Sequence, residues 1–110
     1  MGHDISGYNR AGDSIAYARF SMGNHNSYIL YDVLDCMKFH AGVSGSGEMT
    51  VFNREQLERA SNVFQDKYLQ FIPPNLTSEA SLWDIKQMTD FIQNCLETTK
   101  REGIVKVYFG

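Results

Sequence analysis

The residues best suited to chemistry in this chain lie in two polar, glycine-bearing segments on either side of one short predicted helix. The first is Phe20-Ser21-Met22-Gly23-Asn24-His25-Asn26-Ser27, with Arg19 just before it. The second is His40-Ala41-Gly42-Val43-Ser44-Gly45-Ser46-Gly47. Glycine lets backbone approach a ligand closely or take positive φ, while Asn and Ser supply short hydrogen-bonding arms. The first segment leads from a predicted strand into a helix start, where unpaired N–H groups favour a negative group. Arg19 could add a charge or a flat guanidinium, and His25 a hydrogen bond. In the second segment, backbone N–H groups could cradle an anion without a lysine. The candidate ligand-binding set is therefore Arg19, Gly23, Asn24, His25, Asn26, Ser27, Ser44, Gly45 and Ser46. The bland alternative is that Asn24 and Asn26 cap the helix and that residues 41–47 form a tight connection.

Known catalytic patterns fail at identifiable positions. Gly42 and Gly47 have P-loop separation, but Glu48 stands where lysine is required and reverses the charge. Gly45 and Gly47 begin a dinucleotide fingerprint, yet Thr50 occupies its last glycine, and a strand rather than a helix should follow. Gly42-Val43-Ser44-Gly45-Ser46 ends in serine where a nucleophile elbow needs glycine. His3, His25 and His40 are far apart and show no metal-ligand spacing. No residue is assigned a catalytic role, and neither a metal nor a cofactor is expected.

Positioning these segments falls to a predicted order β-β-α-β-α-α-β. Residues 3–8 and 14–20 read as strands around the hairpin loop Asn9-Arg10-Ala11-Gly12-Asp13. Along the second strand, Ala16, Ala18 and Phe20 share a face suited to packing under helices, and Ile15, Tyr17 and Arg19 share the other. Ile29, Leu30, Val33, Leu34 and Met37 predict a helix over about 27–37, with Asn26 or Ser27 as its N-cap. A short strand is expected over 48–52. Asn53 and Gln56 then form a capping box, with Phe52 and Leu57 as a staple, opening a helix that the Leu57, Ala60, Val63, Phe64 and Tyr68 stripe carries forward. Pro73-Pro74 forces a loop over 72–78. Ser81 with Asp84 resembles a capping box for a helix to about Glu102, with Gly103 as its stop, and residues 104–109 form the last strand. This predicts a single α+β domain over 1–110, with a mixed or antiparallel sheet of about four strands and three helices on one face.

Composition narrows the partners. Ten Lys and Arg against 13 Asp and Glu give a net charge of −3. The basic residues are scattered, which argues against extended nucleic acid. Cys36 and Cys95 sit among apolar neighbours without a C-x-x-C pattern and read as buried, reduced thiols. The polar N-terminus is unlike a signal peptide, and no apolar run is long enough to span a bilayer, so a cytoplasmic location without membrane contact is expected. Met1 to Ser6 also fit a myristoylation pattern, although the stretch reads as the start of a strand. Tyr8, Tyr17, Tyr28, Tyr31 and Trp83 could stack a base or anchor a partner. A homo-oligomer closing a sheet edge is expected to be compatible with this architecture.

Four phrases carry a resemblance across nearly the whole chain: Gly2-His3-Asp4-Ile5, Ala18-Arg19-Phe20-Ser21-Met22-Gly23-Asn24, Ala41-Gly42-Val43-Ser44-Gly45-Ser46-Gly47 and Lys106-Val107-Tyr108-Phe109-Gly110. In these the chain resembles a family of small uncharacterised proteins from Gram-positive bacteria and their phages. The resemblance implies a bacterial or phage cytoplasmic protein and no catalytic residue. The sequence expectation is a non-enzymatic protein that sequesters a small polar or nucleotide-derived ligand, which in a phage would counter host defence. A module that inhibits a host protein is the alternative, and a small nucleotide hydrolase a third reading.

Overall fold

The computed structural model describes residues 2–21, 26–42, 44–68 and 79–110. Among them, β1 (Gly2–Tyr8) and β2 (Ser14–Ser21) form a hairpin, followed by α1 (Ser27–Val33), a 3-10 turn (Met37–Phe39) and β3 (Glu48–Asn53). Then come α2 (Arg54–Val63), a π-helical turn (Phe64–Tyr68), α3 (Glu79–Glu102) and β4 (Ile104–Phe109). The expected α+β order holds, and the sheet is antiparallel throughout, in the order β2-β1-β4-β3.

Alternation along the strands divides the sheet into two unlike faces. Ile5, Ala16, Ala18, Phe20, Phe52, Val105, Val107 and Phe109 are buried and meet Leu57, Ala60, Met88, Phe91, Ile92 and Cys95 from the helices in one core. The opposite face is open. Strand register aligns Tyr17, Ser6, Tyr108 and Met49 in one row across all four strands. Contact between sheet and helix is close at Gly7, where a Cβ would stand 3.0 Å from Cys95 Sγ. Both cysteines are free and buried.

Local signals explain most element ends. Asn53 accepts from the Gln56 N–H at 2.9 Å while Gln56 Oε1 accepts from the Asn53 N–H at 2.8 Å, so the expected capping box opens α2. Three other expectations need correction. Helix α1 stops at Val33, because Asp35 takes φ 57° and the Cys36 N–H returns to the Tyr31 carbonyl at 2.8 Å. The Asp35 N–H bonds the Asp32 carbonyl at 3.0 Å, completing a Schellman-type stop with aspartate in the left-handed position that glycine usually fills. Asn26 has helical backbone angles and makes no side-chain cap bond, so it is not the expected N-cap side chain. Helix α3 begins at Glu79, so Ser81 lies within it rather than at its cap. The expected Pro73-Pro74 loop lies outside the described residues.

The chain from His40 to Gly47 is stitched to the C-terminus. Gly45 donates to the Gly110 carbonyl at 2.8 Å, Gly47 to the Phe109 carbonyl at 2.7 Å, and Ser46 to the Phe39 carbonyl at 2.9 Å. A Cβ on Gly45 would stand 2.6 Å from the Phe109 carbonyl carbon, which is backbone and cannot turn aside. Replacing Gly45 with Ala is therefore expected to destabilise the fold by about 1–3 kcal/mol. Urea unfolding, with Gly12→Ala in the open hairpin loop as the comparison, measures this, and a cost no greater than that of Gly12→Ala would contradict the packing argument.

Candidate functional site

Both polar segments leave from the same end of the sheet. Gly2 pairs with Ser21 there, and Gly110 continues β4 beside Asp4 and Gly45. At this end β1 places a histidine on the core face, two residues before Ile5 on the same face. His3 is only 2% exposed and Tyr31, reaching down from α1, is fully buried. His3 Nε2 lies 3.1 Å from the Gly42 carbonyl, which can only accept, so Nε2 carries the proton. The unprotonated Nδ1 then accepts from the Tyr31 hydroxyl at 2.9 Å. On the other side of the same glycine, the Gly42 N–H donates to His40 Nδ1 at 3.2 Å. Gly42, at φ 92°, is thus held by one imidazole through its carbonyl and by another through its N–H.

The rings form a packed group. His3 and His40 lie 4.7 Å apart between centroids, Tyr31 and His40 5.0 Å, and Tyr28 and His40 6.0 Å. Phe109 packs against both Tyr31 and Phe39 beneath them. His40 is half-buried and Tyr28 is 53% exposed. Among the described residues no buried side-chain nitrogen or oxygen lacks a partner, and none engages His40 Nε2. That atom therefore reaches the surface, and with Nδ1 accepting, it presents an N–H donor beside the Tyr28 ring.

Burial shapes the electrostatics. Desolvation pushes His3 below the ordinary imidazole range, the Gly42 hydrogen bond opposes this, and the neighbouring His40 reinforces it. Burial raises Tyr31 to about 12, so its hydroxyl stays protonated as a donor. Cys36 and Cys95 are raised to about 11 and about 12 by the same cause, which leaves inert thiols. A second polar group anchors the other end of α1. Lys67 Nζ lies 2.8 Å from Asp32 Oδ2, the Tyr68 hydroxyl donates to the same oxygen, and the two bonds hold the Asp32 carboxyl below its usual range.

The sequence-derived candidates are dispersed. Gly23, Asn24 and His25 lie outside the described residues. Arg19 sits on the open sheet face, 71% exposed, 3.7 Å from Asp4, and so on the face opposite His3. Asn26 Nδ2 donates to the buried Asp84 at 3.0 Å, and Ser27 is buried at the first turn of α1. Ser44 Oγ donates to the Gly45 carbonyl at 3.0 Å, and the N–H groups of Gly45 and Ser46 are spent on the C-terminus and Phe39. These N–H groups point into the fold rather than toward a ligand. Of the residues gathered around Gly42, His3, Tyr31 and His40 were missed as site components. Tyr31 reads from sequence only as one aromatic among many, and a histidine on a strand carries no local signal of its partner across the fold.

No three or more His, Cys, Asp or Glu among the described residues are grouped to hold a metal ion, and no described helix is long and apolar enough to cross a membrane. No family model, curated protein or solved structure matches this chain.

The His3 arrangement has a definite pH sign. Its folded pKa lies below the unfolded value near 6.5, so its contribution is complete above about pH 6.5 and is lost as pH falls through the folded value. Unfolding free energy measured by urea between about pH 7.5 and pH 5.5, above most carboxylate titration, is expected to decline toward acid. Tyr31→Phe, which leaves His3 Nδ1 without its donor, should cost about 1–3 kcal/mol at the upper end of that range. A flat profile together with a neutral Tyr31→Phe would contradict the assigned hydrogen bonds.

Proposed function

We propose that this protein is a non-enzymatic binder of a small, oxygen-rich anionic ligand, nucleotide-derived or otherwise phosphorylated, held at the sheet end beside α1 and the 40–47 loop. The observation that carries the reading is His40. Its Nδ1 is locked by Gly42, its Nε2–H is at the surface, and an exposed tyrosine ring stands beside it. An imidazole N–H suits a phosphate or carboxylate oxygen, and Tyr28 offers a face for a base or sugar. Were the chain phage-borne, capture of this kind would remove a nucleotide-derived signal of host defence.

A second reading, a protein-interaction module, draws support from the open sheet face. There Tyr17, Met49, Val51 and Tyr108 are exposed together, and Trp83 on α3 is 65% exposed.

Native mass spectrometry of the gently purified protein, followed by titration with a panel of mono-, di- and cyclic nucleotides, separates the two. The binder reading expects a discrete added mass, released unchanged on denaturation, and an affinity about tenfold or more weaker in His40→Ala and Tyr28→Ala with melting behaviour preserved. Binding that is indifferent to both substitutions, or a bare mass with no nucleotide response, would overturn it in favour of a protein partner.

A further inference from the structure

The backbone hydrogen-bond pattern decides which way every strand residue faces. Asp4 and Gly110 exchange both backbone bonds, at 3.2 and 2.8 Å, so they form a hydrogen-bonded pair. By alternation Ser6, Tyr8, Lys106 and Tyr108 also bond across the β1–β4 seam, and Val105, Val107 and Phe109 bond toward β3. Their β3 partners are Phe52, Thr50 and Glu48. The N–H and C=O of Met49, Val51 and Asn53 must then point out of the sheet edge. An independent bond agrees: the Asn53 N–H is taken by Gln56 Oε1 at 2.8 Å, outside the ladder.

The same alternation turns Tyr17, Arg19 and Ser21 outward on β2, up to the irregularity at Ile15. That edge is interrupted. Gln87 on α3 accepts from the Arg19 N–H at 3.0 Å and donates to the Arg19 carbonyl at 2.8 Å, standing in for a partner strand. It is fixed in turn by a 3.0 Å bond to Asp84. On β3 nothing comparable is present among the described residues. Among the described residues no group bonds the outward N–H or C=O of Met49 or Val51, and their side chains are 53% and 49% exposed. The interior of β3 has no proline, lysine or bulge, the devices that usually protect an edge.

We propose that β3 is a homodimer edge, on which the β3 of a second copy pairs antiparallel about a two-fold axis at Thr50, making one eight-stranded sheet. The register follows from the open groups. Centred on Thr50, each Met49 faces Val51 of the other copy as a hydrogen-bonded pair, and all outward groups of both residues are satisfied in four bonds. A register centred on Val51 would bring Asn53 opposite Met49, and the Met49 carbonyl would meet an N–H already spent on Gln56. The chosen register also covers the exposed Met49 and Val51 side chains with each other on the open face and sets Thr50 against Thr50, a favourable cross-strand pair. An isologous contact of this kind closes after two copies. It uses a surface separate from the His40 site, so it stands independently of the ligand reading.

Sedimentation velocity of the intact chain at about 0.1 mM, a range where modest interfaces populate dimers, tests this. A dimer is expected, and Met49→Lys with Val51→Lys, which opposes like charges at half-exposed positions, should weaken it about tenfold or more while the circular dichroism stays unchanged. As a check that does not depend on affinity, Thr50→Cys should yield a disulfide-linked dimer under mild oxidation, since non-hydrogen-bonded pairs bring Cβ atoms close and the native thiols are buried. A monomer with no Thr50→Cys cross-link would overturn the proposal. So would a dimer indifferent to the double substitution. A series of species growing with concentration would also overturn it, since that is the mark of β3 pairing head-to-tail with β2.

Discussion

The arrangement at the His40 end of the sheet depends on two residues, Phe109 and Gly110. Gly110 exchanges backbone bonds with Asp4 on β1 and accepts from Gly45, and the Phe109 carbonyl accepts from Gly47. The C-terminus is thus both a strand in the sheet and the peg on which the 40–47 loop hangs. That loop carries Gly42, and Gly42 joins His3 to His40. Gly45 must be glycine because the peg is backbone and lies within 3 Å of where a side chain would begin. The interaction is made of main-chain hydrogen bonds in a crowded place, so it constrains position more strictly than any of the exposed ion pairs, whose individual contributions are small.

From that peg a polar group is built into an otherwise apolar core. His3, Tyr31 and Gly42 satisfy one another, and burying them is tolerable only because each donor meets an acceptor. Phe109 and Phe39 stack beneath at 5.0 Å between centroids. The consequence is directional. His3 and Tyr31 orient the loop, and among the described residues no group bonds Nε2 of the half-buried His40.

The rest of the molecule shows two treatments of the same hazard. A four-stranded antiparallel sheet has two edges. The helix packed along β2 contributes a side-chain amide, Gln87, that occupies the Arg19 groups. β3 carries exposed apolar residues with outward backbone groups unmet among the described residues. The open sheet face adds Tyr17 and Tyr108 to the same exposed surface. The His40 group and the open β3 groups therefore occupy different parts of the fold, one at a strand end and one at an edge.

Local patterns determined much of this. Strand alternation in β2, the Asn53–Gln56 box, the Asn9–Asp13 hairpin loop and the long stripe of α3 are short-range signals, and the order of elements followed from them. The stop at Asp35 was hidden because the Schellman turn uses a residue whose φ is unusual for its type, and the apolar spacing runs on past it. Polar, glycine-rich composition drew attention to the 40–47 loop, which is anchored to Phe109 and Gly110 at one sheet end. Which atoms are left open and which are consumed was a tertiary matter. Arg19 turned to the open face by the parity of the strand, the loop N–H groups were consumed by the C-terminus, and His3 and His40, 37 positions apart in sequence, became neighbours only when β1 and the loop were both anchored to Gly110. Hydrogen-bond partners this distant leave no trace in composition or spacing, because their geometry exists only once the strands are paired.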